Sequence, residues 1–236
     1  MLEVRKAGTR GVANLGWLKS RHSFSFGNYH DPDEMGFSDL RVINDDRIAP
    51  GRGFSPHAHR DMEIVTYVLE GAVAHKDSLG TGSVIKPGDV QIMSAGTGVT
   101  HSEYNHSKVK PLHLLQVWLA PKAKRLPPRY QQKHFALEQR RGCLRLLISA
   151  NGQDGSLSIQ QDARMYAGLF DGRETATLKL STSRYAYVHV ARGKIRVNGT
   201  PLSEGDGARV QHEQLLTLDS GIDSEVLVFD LRARAR

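Results

Sequence analysis

Cysteine is nearly missing from this sequence. Cys143 is the only one in 236 residues, so no disulfide can form within the chain, and a reducing, cytoplasmic setting is expected. Long apolar runs are missing as well. No stretch approaches the roughly 20 residues that a bilayer-spanning helix needs, and Met1 to Lys6 has no apolar core of signal-peptide length. These two absences exclude a disulfide scaffold and a helical membrane protein. Catalytic signatures of other kinds are missing too. No Gly-x-Ser-x-Gly elbow occurs, and Gly96-Thr97-Gly98 lacks the lysine of a phosphate loop. Cys143 has Arg141 and Arg145 beside it, yet reads as an inert thiol.

Long amphipathic helical patterns are scarce, and the best is Tyr130 to Arg141, where a helix is expected. Instead, Gly, Pro, Asn and Asp punctuate short β-rich runs. These are Leu40–Ile43, Glu63–Leu69, Leu112–Leu119, Leu178–Leu180, Tyr185–Val190, Lys194–Val197 and Val226–Phe229. Many short strands with regular turn signals predict an all-β sandwich or barrel.

The chain carries an internal duplication. Val68-Leu69-Glu70-Gly71 followed by Lys86-Pro87-Gly88-Asp89 is echoed by Val190-Ala191-Arg192-Gly193 followed by Ser203-Glu204-Gly205-Asp206. Two barrels of similar build are predicted, residues 1–121 and 146–236, joined by 122–145. That connector also carries the whole net charge of +7. Lys122, Lys124, Arg125, Arg129, Lys133, Arg140, Arg141 and Arg145 face only Glu138, whereas the flanking parts are balanced. A basic belt could dock an acidic protein partner. Tyr130 and Phe135 are too few to stack single-stranded bases, which argues against nucleic acid.

Chemistry concentrates in His57-Ala58-His59 and His101-Ser102-Glu103. Residues two apart on a strand point the same way. Two such pairs can therefore face one barrel interior and surround a metal with mixed nitrogen and oxygen donors. An isolated histidine such as His113 or His189 is far more ordinary. Counting from the duplicated glycines places Lys179, Ser181 and Leu218 where His57, His59 and His101 stand, so the second barrel is expected to lack the cage.

The stretch from Gly51 through His57, His59 and Glu63 to Gly71, and that from Pro87 to Asn105, resemble the two cupin signatures. They depart from the common form by extra residues between Gly96 and His101 and by Ser94 where proline is frequent. With Phe24–Tyr29, Met35–Ser38, Asp154–Leu157 and Gln161–Arg164, they resemble the pirin family, closest to its bacterial quercetinase type. The resemblance implies an all-β chain of two tandem cupin barrels with one metal, in the N-terminal barrel only. Its implied ligands are His57, His59, His101 and Glu103, with Glu63 behind them. Three imidazoles and a carboxylate around a divalent ion leave about one positive charge, which suits an anionic substrate oxygen. Fe(II) is favoured, and Zn, Co, Mn, Ni and Cu also suit these donors. The activity implied is that of a quercetin 2,3-dioxygenase, in which Glu103 could also take the flavonol proton. The alternative is a metal- or redox-gated regulatory protein without physiological catalysis.

Overall fold

The computed structural model describes residues 1–233. The first half contains strands β1 (Leu2–Arg5), β2 (Gly11–Asn14), β3 (Leu18–His22), β4 (Leu40–Ile48), β5 (Gly53–His59), β6 (Glu63–Glu70), β7 (Val73–Asp77), β8 (Gly82–Ile85), β9 (Asp89–Ser94), β10 (Val99–Asn105), β11 (Leu112–Leu119) and β12 (Arg129–His134). The second contains β13 (Arg145–Ser149), β14 (Leu157–Ser158), β15 (Ala163–Phe170), β16 (Ala176–Lys179), β17 (Arg184–Val197), β18 (Thr200–Ser203), β19 (Gly207–Val210) and β20 (Leu215–Arg232). Among the described residues the helical elements are three-residue turns.

In the N-terminal barrel a seven-stranded sheet, β12-β9-β6-β11-β4-β3-β2, faces a four-stranded sheet, β5-β10-β7-β8, across an open interior. Strand parity sorts the side chains. On β6 and β11, Ile64, Thr66, Gln116 and Trp118 turn inward, while Val65, Tyr67, Leu115 and Val117 turn outward. The outward set packs on Met165, Ala167, Leu227 and Phe229 of the C-terminal sheet, so the largest core lies between the barrels. Both faces of β6 are thus covered, which is why Glu63–Leu69 reads as one apolar run rather than an alternation.

The duplication is physical. In each half a tight turn is closed by the same carboxylate: Lys86 N donates to Asp89 Oδ2 at 3.0 Å, and Ser203 N to Asp206 Oδ2 at 3.1 Å. Gly71 and Gly193 both take positive φ, 79° and 68°. A Cβ on Gly71 would lie 2.6 Å from Pro111 O, so that bend requires glycine. Two of the expected strands in the second half, Tyr185–Val190 and Lys194–Val197, are one bent strand, β17, with register shifts around Arg192.

Sheet pairing crosses the expected boundaries at two places. β1 pairs with β19 of the C-terminal barrel, and β12, from the connector, extends the N-terminal sheet along β9. The helix expected over Tyr130–Arg141 is therefore absent. Its place is taken by β12 and a single 3-10 turn, Leu137–Gln139. The open edge of β9 supplies backbone partners, and alternate side chains of β12 find partners on both sides. Tyr130 and Gln132 reach Ser83 and Val84 O, while Gln131 and Lys133 reach Ser158 and Gly155 O. A strand polar on both faces carries no hydrophobic period to betray it.

Candidate metal centre

β5 and β10 pair antiparallel with His57 directly opposite His101 and His59 opposite Val99. The register then shifts, so that Glu103 faces Phe54. The extra residue falls around Ser55 and Pro56 on an edge strand, where a proline costs no ladder bond. This bulge brings Phe54, His57 and His59 to one side, all lining the cavity. Gly53 lets the two strands close, for a Cβ there would sit 2.2 Å from Glu103 O.

The donor nitrogens of His57, His59 and His101 lie within 4.8 Å of one another. Their protonation follows from their outer partners. His57 Nδ1 is 2.8 Å from Ser55 O, and a carbonyl only accepts, so His57 carries its proton on Nδ1 and leaves Nε2 bare. Behind His101 stands a chain of buried groups. Asp77 Oδ2 accepts from His75 Nε2 at 2.9 Å, with both side chains fully buried. His75 Nδ1 is therefore an acceptor, approached by Gln91 Nε2 at 3.1 Å and by His101 Nδ1 at 3.5 Å. A metal on His101 Nε2 would leave the His101 proton on Nδ1, facing that acceptor.

The Nε2 atoms of His57 and His101 lie 3.1 Å apart. Without an ion a proton on His101 Nε2 donates to His57 Nε2, and a metal takes that proton's place. Nitrogens about 2.1 Å from one ion and at right angles around it would lie about 3.0 Å apart. Protonation is opposed at this site. Burial pushes His101 down to about 3, helped by His57 and His75, and burial with His101 and His57 lowers His59 to about 4. The donor set fits a transition metal.

Glu103 is buried on β10, and its carboxylate lies within 4.8 Å of donor atoms of His101 and His75, but at that distance does not close on His57 and His59. It is held by Thr66 Oγ1 at 3.1 Å and Gln116 Nε2 at 2.9 Å. Glu63 lies elsewhere, contrary to the expectation that it supports the ligands. It is outward on β6, where Ser94 Oγ donates to Oε2 at 2.7 Å and Gln160 N at 3.2 Å. There it ties the barrels together, and burial raises its pKa.

His75 and Asp77 escaped sequence reasoning, although they repeat the one-residue spacing of His101 and Glu103. They sit opposite those residues on β7, Glu103 against His75 and His101 against Asp77. Asp46 escaped it as well. It lines the cavity with Ser20, His22 and Asn44, is 3% exposed, and is pushed up to about 7 by burial, against a Ser20 hydrogen bond and with help from Asp45 and Glu103. The remaining walls are Leu18, Phe26, Phe54, Ile64 and Trp118, and the cavity volume is about 180 Å³.

In the C-terminal barrel the same pairing gives a different filling. With Leu218 in the place of His101, its partner Ala176 occupies the place of His57, and Leu178 opposite Leu216 occupies that of His59. These residues join an apolar core. The glycine count had pointed to Lys179 and Ser181, because it ignored the different loop length before β17. Among the described residues, clusters able to hold an ion occur only in the N-terminal barrel.

The C-terminal part of the basic connector is tied down. Arg140 is buried against Glu225 at 3.2 Å and Tyr67 at 2.7 Å, Arg141 pairs with Glu174 at 2.9 Å, and Arg145 donates to Asp154 O at 2.7 Å. Cys143 is exposed. Among the described residues no helix is long and apolar enough to cross a membrane. Of the terminal segment Arg232–Arg236, Arg232 belongs to β20 and pairs with Asp39, while 234–236 lie outside the described residues.

Comparison with known proteins agrees with this architecture. The Pirin family model matches residues 3–119, and the model described as the quercetinase C-terminal cupin domain matches 146–231. A quercetin 2,3-dioxygenase from Escherichia coli K12 is 46% identical over 231 residues, covering 98% of this chain and 99% of that protein. A pirin-like protein from Caulobacter vibrioides is 40% identical and covers 98% and 99%. A crystal structure of a bacterial pirin from E. coli in complex with nickel(II) superposes with a TM-score of 0.94 at 46% identity, covering 99% of this chain and 100% of that one. The nickel complex and the histidine–glutamate cluster together indicate a single transition metal. With two cupin barrels, one cluster of donors and this likeness along its whole length, the chain belongs to the pirin family.

Proposed function

We propose that this protein is a metal-dependent quercetin 2,3-dioxygenase, opening the heterocycle of flavonols with dioxygen and releasing carbon monoxide. The observation that carries the proposal is the convergence of His57, His59 and His101, with the Nε2 atoms of His57 and His101 3.1 Å apart, at an aromatic-walled cavity, in a chain 46% identical to a quercetin 2,3-dioxygenase. His57, His59, His101 and Glu103 hold one divalent metal, with Fe(II) favoured over Zn, Co, Mn, Ni and Cu because dioxygen chemistry is easiest on redox-active iron. When bound, that ion favours the anionic form of a substrate oxygen and supplies the redox chemistry. The residues around it do the positioning. Phe26, Phe54, Ile64 and Trp118 offer apolar faces to a planar ring system and exclude water. Thr66 and Gln116 fix the Glu103 carboxylate, which suits it to ligation. Asp77 and His75 hold His101 in the tautomer that binds. We place the metal-bearing unit at 1–121, the connector at 122–145 and the metal-free unit at 146–236.

The test is reconstitution of metal-stripped protein with each of the six ions, followed by quercetin loss, oxygen uptake and carbon monoxide release. At least one ion should support all three together. No turnover with any of them refutes the proposal.

A further inference from the structure

Two polar atoms of the cavity-lining residues have no partner among the described residues, the donor Trp118 Nε1 and the acceptor Asp46 Oδ1. On the wall opposite β5 and β10, β3 pairs with β4 so that Ser20 meets Asp46 and His22 meets Asn44. Most of this wall is satisfied internally. His22 Nδ1 lies 2.7 Å from Asn44 Oδ1 and 3.3 Å from Ser20 Oγ, and Gln116 bonds Glu103. Asp46 is the exception. Its side chain is buried, and Oδ1 has no hydrogen-bond partner among the described residues. An orphaned oxygen of this kind is costly, and folds rarely keep one without a use.

From this orphaned oxygen in the cavity wall we infer that Asp46 Oδ1 is the acceptor for a hydroxyl of the bound substrate, and so selects polyphenols over their ethers and over carboxylic acids. The inference rests on the flavonol reading of the same site. The chemistry of the wall sets the class of ligand. No cationic side chain lines the cavity, whereas Glu103 lines it with Asp46, so away from the metal an anionic carboxylate would meet two acidic groups. A neutral phenol brings the missing donor. Its ring meets Phe26, Phe54 and Trp118, and its O–H meets Asp46. A site built to hydrogen-bond a hydroxyl rejects an analogue lacking it, because the buried acceptor is then left unpaired.

The test is direct binding to metal-free protein, followed through quenching of tryptophan fluorescence. Quercetin and its fully O-methylated ether are titrated into wild type, Asp46→Leu and Asp46→Asn. Wild type should prefer quercetin at least tenfold. Asp46→Leu should lose that preference, and Asp46→Asn, which keeps an uncharged acceptor, should retain part of it. Both variants should melt at or above the wild-type temperature, since a buried carboxyl with one unpartnered oxygen has gone. An unchanged preference in Asp46→Leu, or an Asp46→Asn variant that melts well below wild type, overturns the inference while leaving the proposed activity standing. If metal-free wild type binds neither ligand, the inference falls, while the proposed function is decided separately by turnover of the reconstituted protein.

Discussion

Replacing Asp77 with asparagine should reverse the protonation of His75, the histidine behind the ligand His101. Asp77 Oδ1 accepts from Leu79 N at 2.9 Å and Thr81 N at 3.0 Å, so an asparagine must keep its carbonyl oxygen on that side. Its NH2 then points at His75 Nε2 and donates, moving the His75 proton to Nδ1. That proton faces His101 Nδ1, 3.5 Å away, and holds the His101 proton on Nε2, the atom opposite His57. Gln91 can follow by turning its amide, whose Oε1 has no partner among the described residues. Metal binding must then undo a chain of hydrogen bonds. Loss of one such outer partner lowers metal affinity about 10- to 100-fold, or roughly 1.4–2.7 kcal/mol. Chelator competition gives the affinity, and nitrogen NMR of labelled histidines gives the tautomer in metal-free protein. Asp77→Asn should show His75 protonated at Nδ1, where wild type shows Nε2. Wild-type affinity together with an unchanged tautomer would refute the relay.

Other perturbations test separate parts of the account. Asp46 lies near 7 in the folded protein against 3.8 ordinarily, so the native state binds its proton more tightly than the unfolded chain does, and stability should fall as pH rises from about 4 to about 7. Asp46→Asn should abolish that contribution, on the order of 4 kcal/mol at full displacement, read as a gap between denaturation curves of metal-free proteins that widens with pH. Gly53→Ala would put a Cβ 2.2 Å from Glu103 O and force β5 away from β10. It should cost about 1–3 kcal/mol and weaken metal retention, measured by thermal melting and elemental analysis. Arg140→Ala leaves Glu225 buried without its ion pair between the barrels, and should destabilise by about 3–5 kcal/mol in urea titrations. Equal stability there would mean that the connector's charge is a surface feature after all.

The ligand histidines were legible because a strand has period two. His57, His59 and His101 needed only parity and a barrel to converge. Parity also explains the failure at Glu63. Ile64 and Thr66 face the interior, so Glu63 must face the other barrel, which chain proximity to His59 did not reveal. Asp46 was hidden differently. Asn44-Asp45-Asp46 looks like a turn after Ile43, yet it continues β4 to Ile48 because Asn44 and Asp46 meet a polar cavity, while Asp45 meets Arg10 and His113. Polar residues inside a strand read as its end when the sequence does not show what they face. The same blindness turned β12 into an expected helix, and it left His75 and Asp77 unremarked until β10 was seen to pair with β7.

The claim beneath all of this is that His57, His59 and His101 jointly bind the ion at which flavonol meets oxygen. Anaerobic reconstitution with Fe(II), followed by exposure to quercetin and oxygen, tests it most directly when wild type is run beside a His101→Ala variant. The account predicts about one iron per wild-type chain, with quercetin, oxygen and carbon monoxide changing in equal amounts, and neither bound iron nor turnover in His101→Ala. Turnover by His101→Ala at the wild-type rate would contradict it.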